Sequence, residues 1–382
     1  MNILVALDSF KGSLSSKQAN ETVKEGLLAG NPALKVTTVP VADGGEGTVE
    51  AMTEATGGTF HHLTVTGPLG EKVRGKYGIL GDGKTAVIEV AEACGLTLVP
   101  EEKRNPLHTT SRGVGELILD AAEKGCTEII IGLGGSATND AGTGMLQALG
   151  YRFYDENGLI TESGGKILSS ITRMDDRNVP ETLKNVCFYA ACDVNNPLYG
   201  ENGAAYVFAP QKGATEDDVV LLDQGLRNFA RVVSKEQGID LQNIPGAGAA
   251  GGLGAAFAGI LQAELVPGVE LVLKKINLPE RIRHVDLVIT GEGRLDHQTA
   301  FGKTPAGIAQ TAKKFNIPVI AIAGDVAKAG DSLHDHGIDA YFSIVTGPQT
   351  VSEAMEPSTA RKNLKTTAEQ LSRLILSMKQ YS

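Results

Sequence analysis

VDLVIT (285–290), PVIAIAG (318–324) and AYFSIV (340–345) are three short apolar runs, and the stretches between them are long enough for helices. Such an alternation predicts a βαβαβ succession, and therefore a parallel sheet with helices packed on its faces. The start of the chain has the same rhythm. Asn2–Ala6 predicts a strand, and Ser15 with Gln18 a capping box for a helix running to about Ala29. A second strand is expected over Lys35–Val39, and a helix after Gly47. Each end alone would make an incomplete sheet. The two are therefore expected to join as one doubly wound α/β domain, residues 1–58 plus 281–382, with residues 59–280 inserted as a mixed α/β domain.

The inserted part reads differently. HHLTVTG (61–67), KVRGKYGIL (72–80) and TAVIEVA (85–91) are closely spaced strand-like runs, which predict an antiparallel piece. A helix is expected over Arg112–Lys124, then a strand in EIIIGLGG (128–135) and a helix over Thr143–Leu149. Further on come a strand at Val186–Ala190, a polar helix capped by Thr215, and PGAGAAGGLGAAFAGILQ (245–262) leading into another helix.

At 382 residues the chain exceeds the roughly 250–300 at which a single core stops growing, so two domains are expected. The formal charge is −10 with no basic stripe, which argues against nucleic acid as a partner. In so acidic a chain, an anionic substrate must be met by individual Lys and Arg residues. Glycine is abundant, 47 residues against a usual ~7%, and it clusters in loops rather than in a period, as tight turns around a ligand would require. Cys94, Cys126, Cys187 and Cys192 show no metal-binding spacing and are expected as buried, reduced thiols. The first residues lack a basic start and a long apolar core, and no window approaches 18 apolar residues. A cytoplasmic enzyme without contact to a membrane is the expectation.

Two motif matches mislead. Gly78 to Thr85 (GILGDGKT) fits the P-loop pattern, but a P-loop opens a helix, and here the glycines lie between two strand-like runs. A hairpin turn is expected there, with Lys84 in it. Gly246 to Gly251 (GAGAAG) fits the dinucleotide fingerprint, but IDLQNIP (239–245) before it makes no convincing strand.

A recurrence carries more. Five times an apolar run ends in a cluster of acids, glycines and polar residues: Asp8-Ser9-Phe10-Lys11, Asp43-Gly44-Gly45-Glu46, Gly134-Gly135-Ser136 through Asn139-Asp140, Asp193-Val194-Asn195, and Gly291-Glu292-Gly293-Arg294-Leu295-Asp296. Asp and Gly are ordinary turn and cap residues, so any one of these loops could be structural, and Asp43 and Asp140 could simply cap helices. Five together suit a ligand edge, because open α/β sheets bind ligands beyond the carboxyl ends of their strands. The matching chemistry is phosphoryl transfer. It needs glycine loops for phosphate, one or two carboxylates for Mg²⁺, a further carboxylate as base, and cations for developing charge.

The same residues carry a family resemblance. DSFKGSLS (8–15), PVADGGEGT (40–48), TGPLG (66–70), SRGVGELI (111–118), GLGGSATNDAGTG (132–144), CDVNNPLYG (192–200), PGAGAAGGLG (245–254) and GEGRLDHQT (291–299), in this order, resemble the type-1 glycerate kinases from residue 1 to beyond 340. The resemblance implies phosphorylation of D-glycerate by ATP with Mg²⁺, yielding 2- or 3-phosphoglycerate and ADP. It also implies two α/β domains, one of them flavodoxin-like (Rossmann-like), with the active site in the cleft between them. Within those motifs, Lys11, Arg112 and Arg294 are the cations that could clamp the glycerate carboxylate. Arg112 stands at a helix start, where helix N–H groups also favour anions. Lys11, Arg294, Asp193 and Asp296 are the candidates for catalysis, and Asp193, Glu292 and Asp296 for Mg²⁺. Asp8, Ser9, Asp43, Gly44 and Gly45 complete the substrate set. Gly134, Gly135, Ser136, Asn139 and Asp140 form the phosphate set. His297 reads as a hydrogen-bonded structural residue. Competing readings are a phosphosugar isomerase or dehydrogenase on a related scaffold, and a non-enzymatic sensor of hydroxy acids.

Overall fold

The computed structural model describes residues 1–296, 299, 303–326 and 332–380. The chain divides into two compact units. One comprises Met1–Asp43, Glu50–Ala55 and Val269–Ser382, the other Gly44–Val49 and Thr56–Gly268. Along the chain run strands β1 (Asn2–Leu7), β2 (Lys35–Thr38), β3 (Thr59–Thr66), β4 (Lys72–Ile79), β5 (Thr85–Glu89), β6 (Glu128–Gly132), β7 (Arg152–Asp155), β8 (Gly158–Leu159), β9 (Arg173–Asp175), β10 (Cys187–Ala191), β11 (Glu264–Val266), β12 (Leu287–Arg294), β13 (Val319–Asp325) and β14 (Ala340–Ser343).

The first unit is built on one parallel sheet in the order β14-β13-β12-β1-β2. The N-terminal strand is therefore flanked by β2 and by a strand from the last quarter of the chain. Ile3, Val5 and Leu7 of β1 and Leu287 and Ile289 of β12 lie in one buried cluster. The capping box at Ser15 and Gln18 starts the helix Ser16–Gly30. Its apolar face, with Ala19, Val23 and Leu27, shares that cluster with Ala360, Leu364, Ala368 and Leu371 of the C-terminal helix Pro357–Gln380. The two helices can approach closely because residue 26 is glycine: a Cβ there would come within 2.4 Å of the Lys365 carbonyl oxygen. Asn20, fully buried, accepts from the Leu7 amide and donates to the Leu7 carbonyl, fixing the end of β1 to this helix.

The second unit has a six-stranded sheet, β11-β10-β6-β5-β4-β3, in which the first four are mutually parallel and β4 and β3 antiparallel. Ile129, Ile130 and Ile131 of β6 are fully buried, as a central strand covered on both faces requires. The turn between β4 and β5 is a hairpin: Leu80 and Thr85 pair across it, and Gly83 closes it at φ +68°. The P-loop match is thus a turn, as its context predicts.

Four expectations need correction. The Gly291–Asp296 segment is strand as far as Arg294, because Glu292 and Arg294 pair with Ala323 and Asp325 of β13 beyond the point where β1 stops. A third sheet, β8-β7-β9, was not foreseen, its strands being only two to four residues long. The helix expected after Pro245 is broken, with Ala250, Gly251 and Gly252 in left-handed conformations. Of the cysteines, Cys94 and Cys126 are buried, but Cys187 is exposed at the start of β10 and Cys192 is half-buried. Among the described residues no helix is long and apolar enough to cross a membrane.

Candidate active site

In the first unit, the residues that follow β1 and those at the end of β12 lie side by side. The Asp8 amide donates to the Gly291 carbonyl at 2.8 Å, which carries the ladder of the two strands one step further. Asp8 is buried, and its carboxylate accepts from the Thr304 hydroxyl and from the Ser9 amide, both at 2.6 Å. Burial, reinforced by the nearby Asp43 carboxylate, still raises its pKa to about 6. Lys11 reaches Asp43 Oδ2 with its Nζ at 3.3 Å. Burial works to lower its ammonium, but Asp43, then Asp8 and Glu292, outweigh that and hold it above its ordinary value. Glu292 accepts from the Thr299 hydroxyl at 2.8 Å, with Lys303 Nζ at 4.0 Å. Burial pushes it up to about 7, and Asp8 and Asp43 add to the effect. Arg294 lies 3.6 Å from Asp296 and 3.4 Å from Asp325, with its guanidinium half exposed. The result is a crowd of carboxylates around one or two cations, at the edge where parallel sheets bind ligands.

In the second unit, the Gly44–Gly45 segment lies against the ends of β6 and β10. A Cβ on Gly44 would meet Ala191 Cβ at 2.9 Å and Gly268 Cα at 2.6 Å, and a Cβ on Gly132 would meet the Gly44 carbonyl oxygen at 2.9 Å. Asp193, exposed just past β10, accepts from the Gly268 amide at 3.0 Å. Glu89, at the end of β5, accepts from the Val49 amide at 2.8 Å and is itself buried.

The Gly134–Asp140 loop follows β6. Gly134 and Gly135 are exposed, and Gly135 is left-handed at φ +73°. Among the described residues, the amides of Gly134, Gly135 and Ser136 have no acceptor. Asn139 is fully buried, and among the described residues neither its Oδ1 nor its Nδ2 has a partner. Asp140 has a different place from the one expected of a phosphate contact. It is fully buried, and it accepts from the Ser111 amide and hydroxyl at 2.9 Å, from Gly142 at 3.1 Å and from Gly144 at 3.3 Å. Burial raises its carboxyl against these bonds. Its carboxylate braces the loop to the start of the helix Arg112–Glu123. The broken Ala249–Ala255 segment supports the same loop: Gly251 accepts from the Ala141 amide at 3.0 Å, and a Cβ there would come within 2.0 Å of the Thr138 carbonyl oxygen. The glycines of the dinucleotide-like motif thus serve backbone packing. Arg112 pairs with Glu116 at 3.5 Å and, with Arg152 and Gln147, lines an open cavity of about 440 Å³.

The three carboxylates expected to hold Mg²⁺ are divided between the two units. Asp193 belongs to the second unit, and Glu292 and Asp296 to the first. Among the described residues no three His, Cys, Asp or Glu side chains form a ready metal cage. His297 lies outside the described residues. Residues that the sequence reading missed are Thr304, Asp325, Glu89 and Lys212. The first three end or begin elements in runs that look apolar or ordinary. Lys212 sits in APQKGA (209–214), with nothing in its neighbours to announce it.

Comparison with known proteins agrees with the sequence reading. The profile of the glycerate kinase family matches residues 3–376. Glycerate 2-kinase of Escherichia coli K12 is 52% identical over 354 residues, 93% of each chain. Glycerate kinase of Bacillus subtilis 168 is 49% identical over 356 residues, again 93% of each. A crystal structure described as that of a glycerate kinase 2 from Salmonella typhimurium LT2 superposes with a TM-score of 0.91 at 43% identity, covering 100% of this chain and 99% of the other.

Proposed function

The chain belongs to the glycerate kinase family, and on that premise we propose that it transfers the γ-phosphoryl group of ATP to the 2-hydroxyl of D-glycerate in the cytoplasm, releasing ADP and 2-phosphoglycerate. The choice of hydroxyl is supported by the relative from E. coli, which is named for it.

The observation that carries the reading is the crowding of Asp8, Asp43 and Glu292 around Lys11 at the edge of the parallel sheet. Asp8 and Glu292 hold their protons well above the ordinary carboxylate range because burial and neighbouring carboxylates penalise their charge, and a divalent cation would offset that penalty. One or two of them, with Asp296 close by, would hold Mg²⁺, whose role is to neutralise the charge of the phosphate oxygens. Asp193 and Asp296 remain the candidates for the base that takes the proton of the glycerate hydroxyl, together with Glu292, whose pKa near 7 suits a proton acceptor at neutral pH. Lys11 and Arg294 would face the glycerate carboxylate or the transferred group, with Ser9, Gly44 and Gly45 giving backbone close to it. Arg112, turned to Glu116 and its own cavity, is the weaker candidate for the clamp. Gly134, Gly135 and Ser136 would receive nucleotide phosphate on their amides.

The test is ADP release from purified protein with D-glycerate, Mg²⁺ and ATP, followed by the product's fate. Enolase acts on 2-phosphoglycerate directly, whereas 3-phosphoglycerate requires a mutase first. Folded protein that releases no ADP above background removes the activity. A product that enolase takes only after mutase moves the phosphate to the 3-hydroxyl.

A further inference from the structure

Lys212 is 3% exposed, in a short turn that runs from Pro210 to Lys212. Its ammonium donates to Ser136 Oγ at 2.9 Å and to the Thr138 carbonyl at 2.7 Å. Both acceptors are neutral, and no carboxylate forms an ion pair with it among the described residues. Taking an ammonium out of water without a counter-ion is costly, so such groups are rare unless the charge is used. The loop it touches has the complementary shortage. Among the described residues, three consecutive amides, of Gly134, Gly135 and Ser136, have no acceptor, with the left-handed Gly135 in the middle. Successive N–H groups around a left-handed residue form the concave nests that hold anions. Asn139, next to Thr138, is buried with its carboxamide unpartnered among the described residues. The loop amides and Asn139 Nδ2 are donors without an acceptor among the described residues, and Lys212 has only the field of the buried Asp140 carboxylate, itself engaged by four donors, to offset its charge.

We propose that Lys212 is the buried cation of the phosphate-binding loop, a positioning residue that grips Ser136 and Thr138 from behind and supplies positive charge beneath the phosphates of ATP. The inference rests on reading Gly134–Ser136 as the nucleotide site. The partner is read as a polyphosphate rather than the glycerate carboxylate, because successive amides around a left-handed residue beside a cation are the arrangement that cradles phosphate oxygens. Lys212 itself stays covered. It acts through the loop and through its field, which a low-dielectric surrounding preserves.

Lys212→Met keeps the volume and removes the charge. Calorimetric titration with ATP should show affinity weakened by about tenfold or more, with KM for ATP raised alike and KM for D-glycerate changed less than about threefold. Thermal stability should hold, since replacing a buried charge with an apolar side chain is often neutral or stabilising. A folded Lys212→Met that binds ATP as the wild type does, or that loses glycerate affinity instead, overturns the inference. If Lys212→Met fails to fold, Ser136→Ala takes its place, and wild-type ATP affinity in that variant overturns it equally. ATP binding is read without turnover. A wild type that binds ATP but phosphorylates no glycerate therefore sinks only the activity, and the loss of binding in Lys212→Met still sustains the role of Lys212.

Discussion

The Asp8 carboxylate accepts a 2.6 Å hydrogen bond from the Thr304 hydroxyl, across 296 positions of sequence. Asp8 ends the first strand's run and Thr304 opens the helix Thr304–Lys313 that follows β12, so this bond ties together the two βα junctions at the middle of the sheet. It also leaves Asp8 beside Asp43 and within the field of Glu292, and the site's behaviour toward protons and cations follows from that neighbourhood.

The pH dependence of stability should reveal it. An unfolded Glu titrates near its ordinary 4.5, whereas folded Glu292 titrates near 7 because burial penalises its charge. Between those values the folded protein keeps a proton that the unfolded chain releases, so stability falls as pH rises through the window. Glu292→Gln keeps the acceptor for Thr299 and cannot ionise. Its melting temperature should exceed that of the wild type by about 2–4 °C or more above pH 7, with the advantage gone near pH 4.5. An advantage that is the same at pH 5 and pH 8 would refute the assignment.

Asp296→Asn, nearly isosteric and uncharged, should lower kcat by about a hundredfold or more, the lower end for a lost acid–base or metal-binding group. Its Tm should barely change, because Asp296 sits where carboxylates already crowd. Steady-state rates and a melting curve on the same preparation check both halves, and a kcat within tenfold of wild type would remove Asp296 from the machinery.

Lys11→Ala should act mainly on binding. The ammonium faces Asp43, Asp8 and Glu292 from an exposed stem, so removing it withdraws an attraction that bound anions share in ground and transition states. KM for glycerate or ATP should rise by about tenfold while kcat falls less. A loss confined to kcat would make Lys11 a group used only in the transition state.

Lys84→Ala should change kcat/KM by less than about tenfold. In the hairpin, Asp82 Oδ1 accepts from the backbone amides of Lys84 and Thr85 at 2.9 Å each, and alanine keeps both. A thousandfold loss in folded protein would show that the P-loop pattern was functional after all.

Local signals made much of this legible. Ser15 with Gln18 and Thr215 with Asp218 form capping boxes that side-chain chemistry alone dictates. The clustering of Asp8, Lys11, Asp43 and Glu292 follows from parallel strands having their carboxyl ends on one side. What escaped was set by tertiary contact. Asp140 looks like Asp43 in sequence, yet it is fully buried in a ring of donors from residues 111, 142 and 144. The end of β12 was misplaced because β13 outruns β1 and continues the pairing to Arg294. Lys212 could not be found, since a buried lysine reads in sequence like any surface one. The left-handed run at Ala250–Gly252 escaped because alanine and glycine there suit a helix equally well until the loop at Thr138 presses against them.

The strand order of the first unit sets a timetable for synthesis. β1 emerges before the second unit, but its neighbour β12 and the helix that covers Ser16–Gly30 are made only after it. For most of translation the opening βαβ segment has half its sheet, and one side of its first helix bare, while the second unit has already been delivered whole from residue 56 to residue 268. Domains fold as units during elongation, and unpaired strand edges invite misassociation. The nascent chain therefore carries a sticky amino-terminal hook ahead of a finished body. A ribosome that stops before the C-terminal helix releases a product whose exposed hook should make it a substrate for chaperones and proteases.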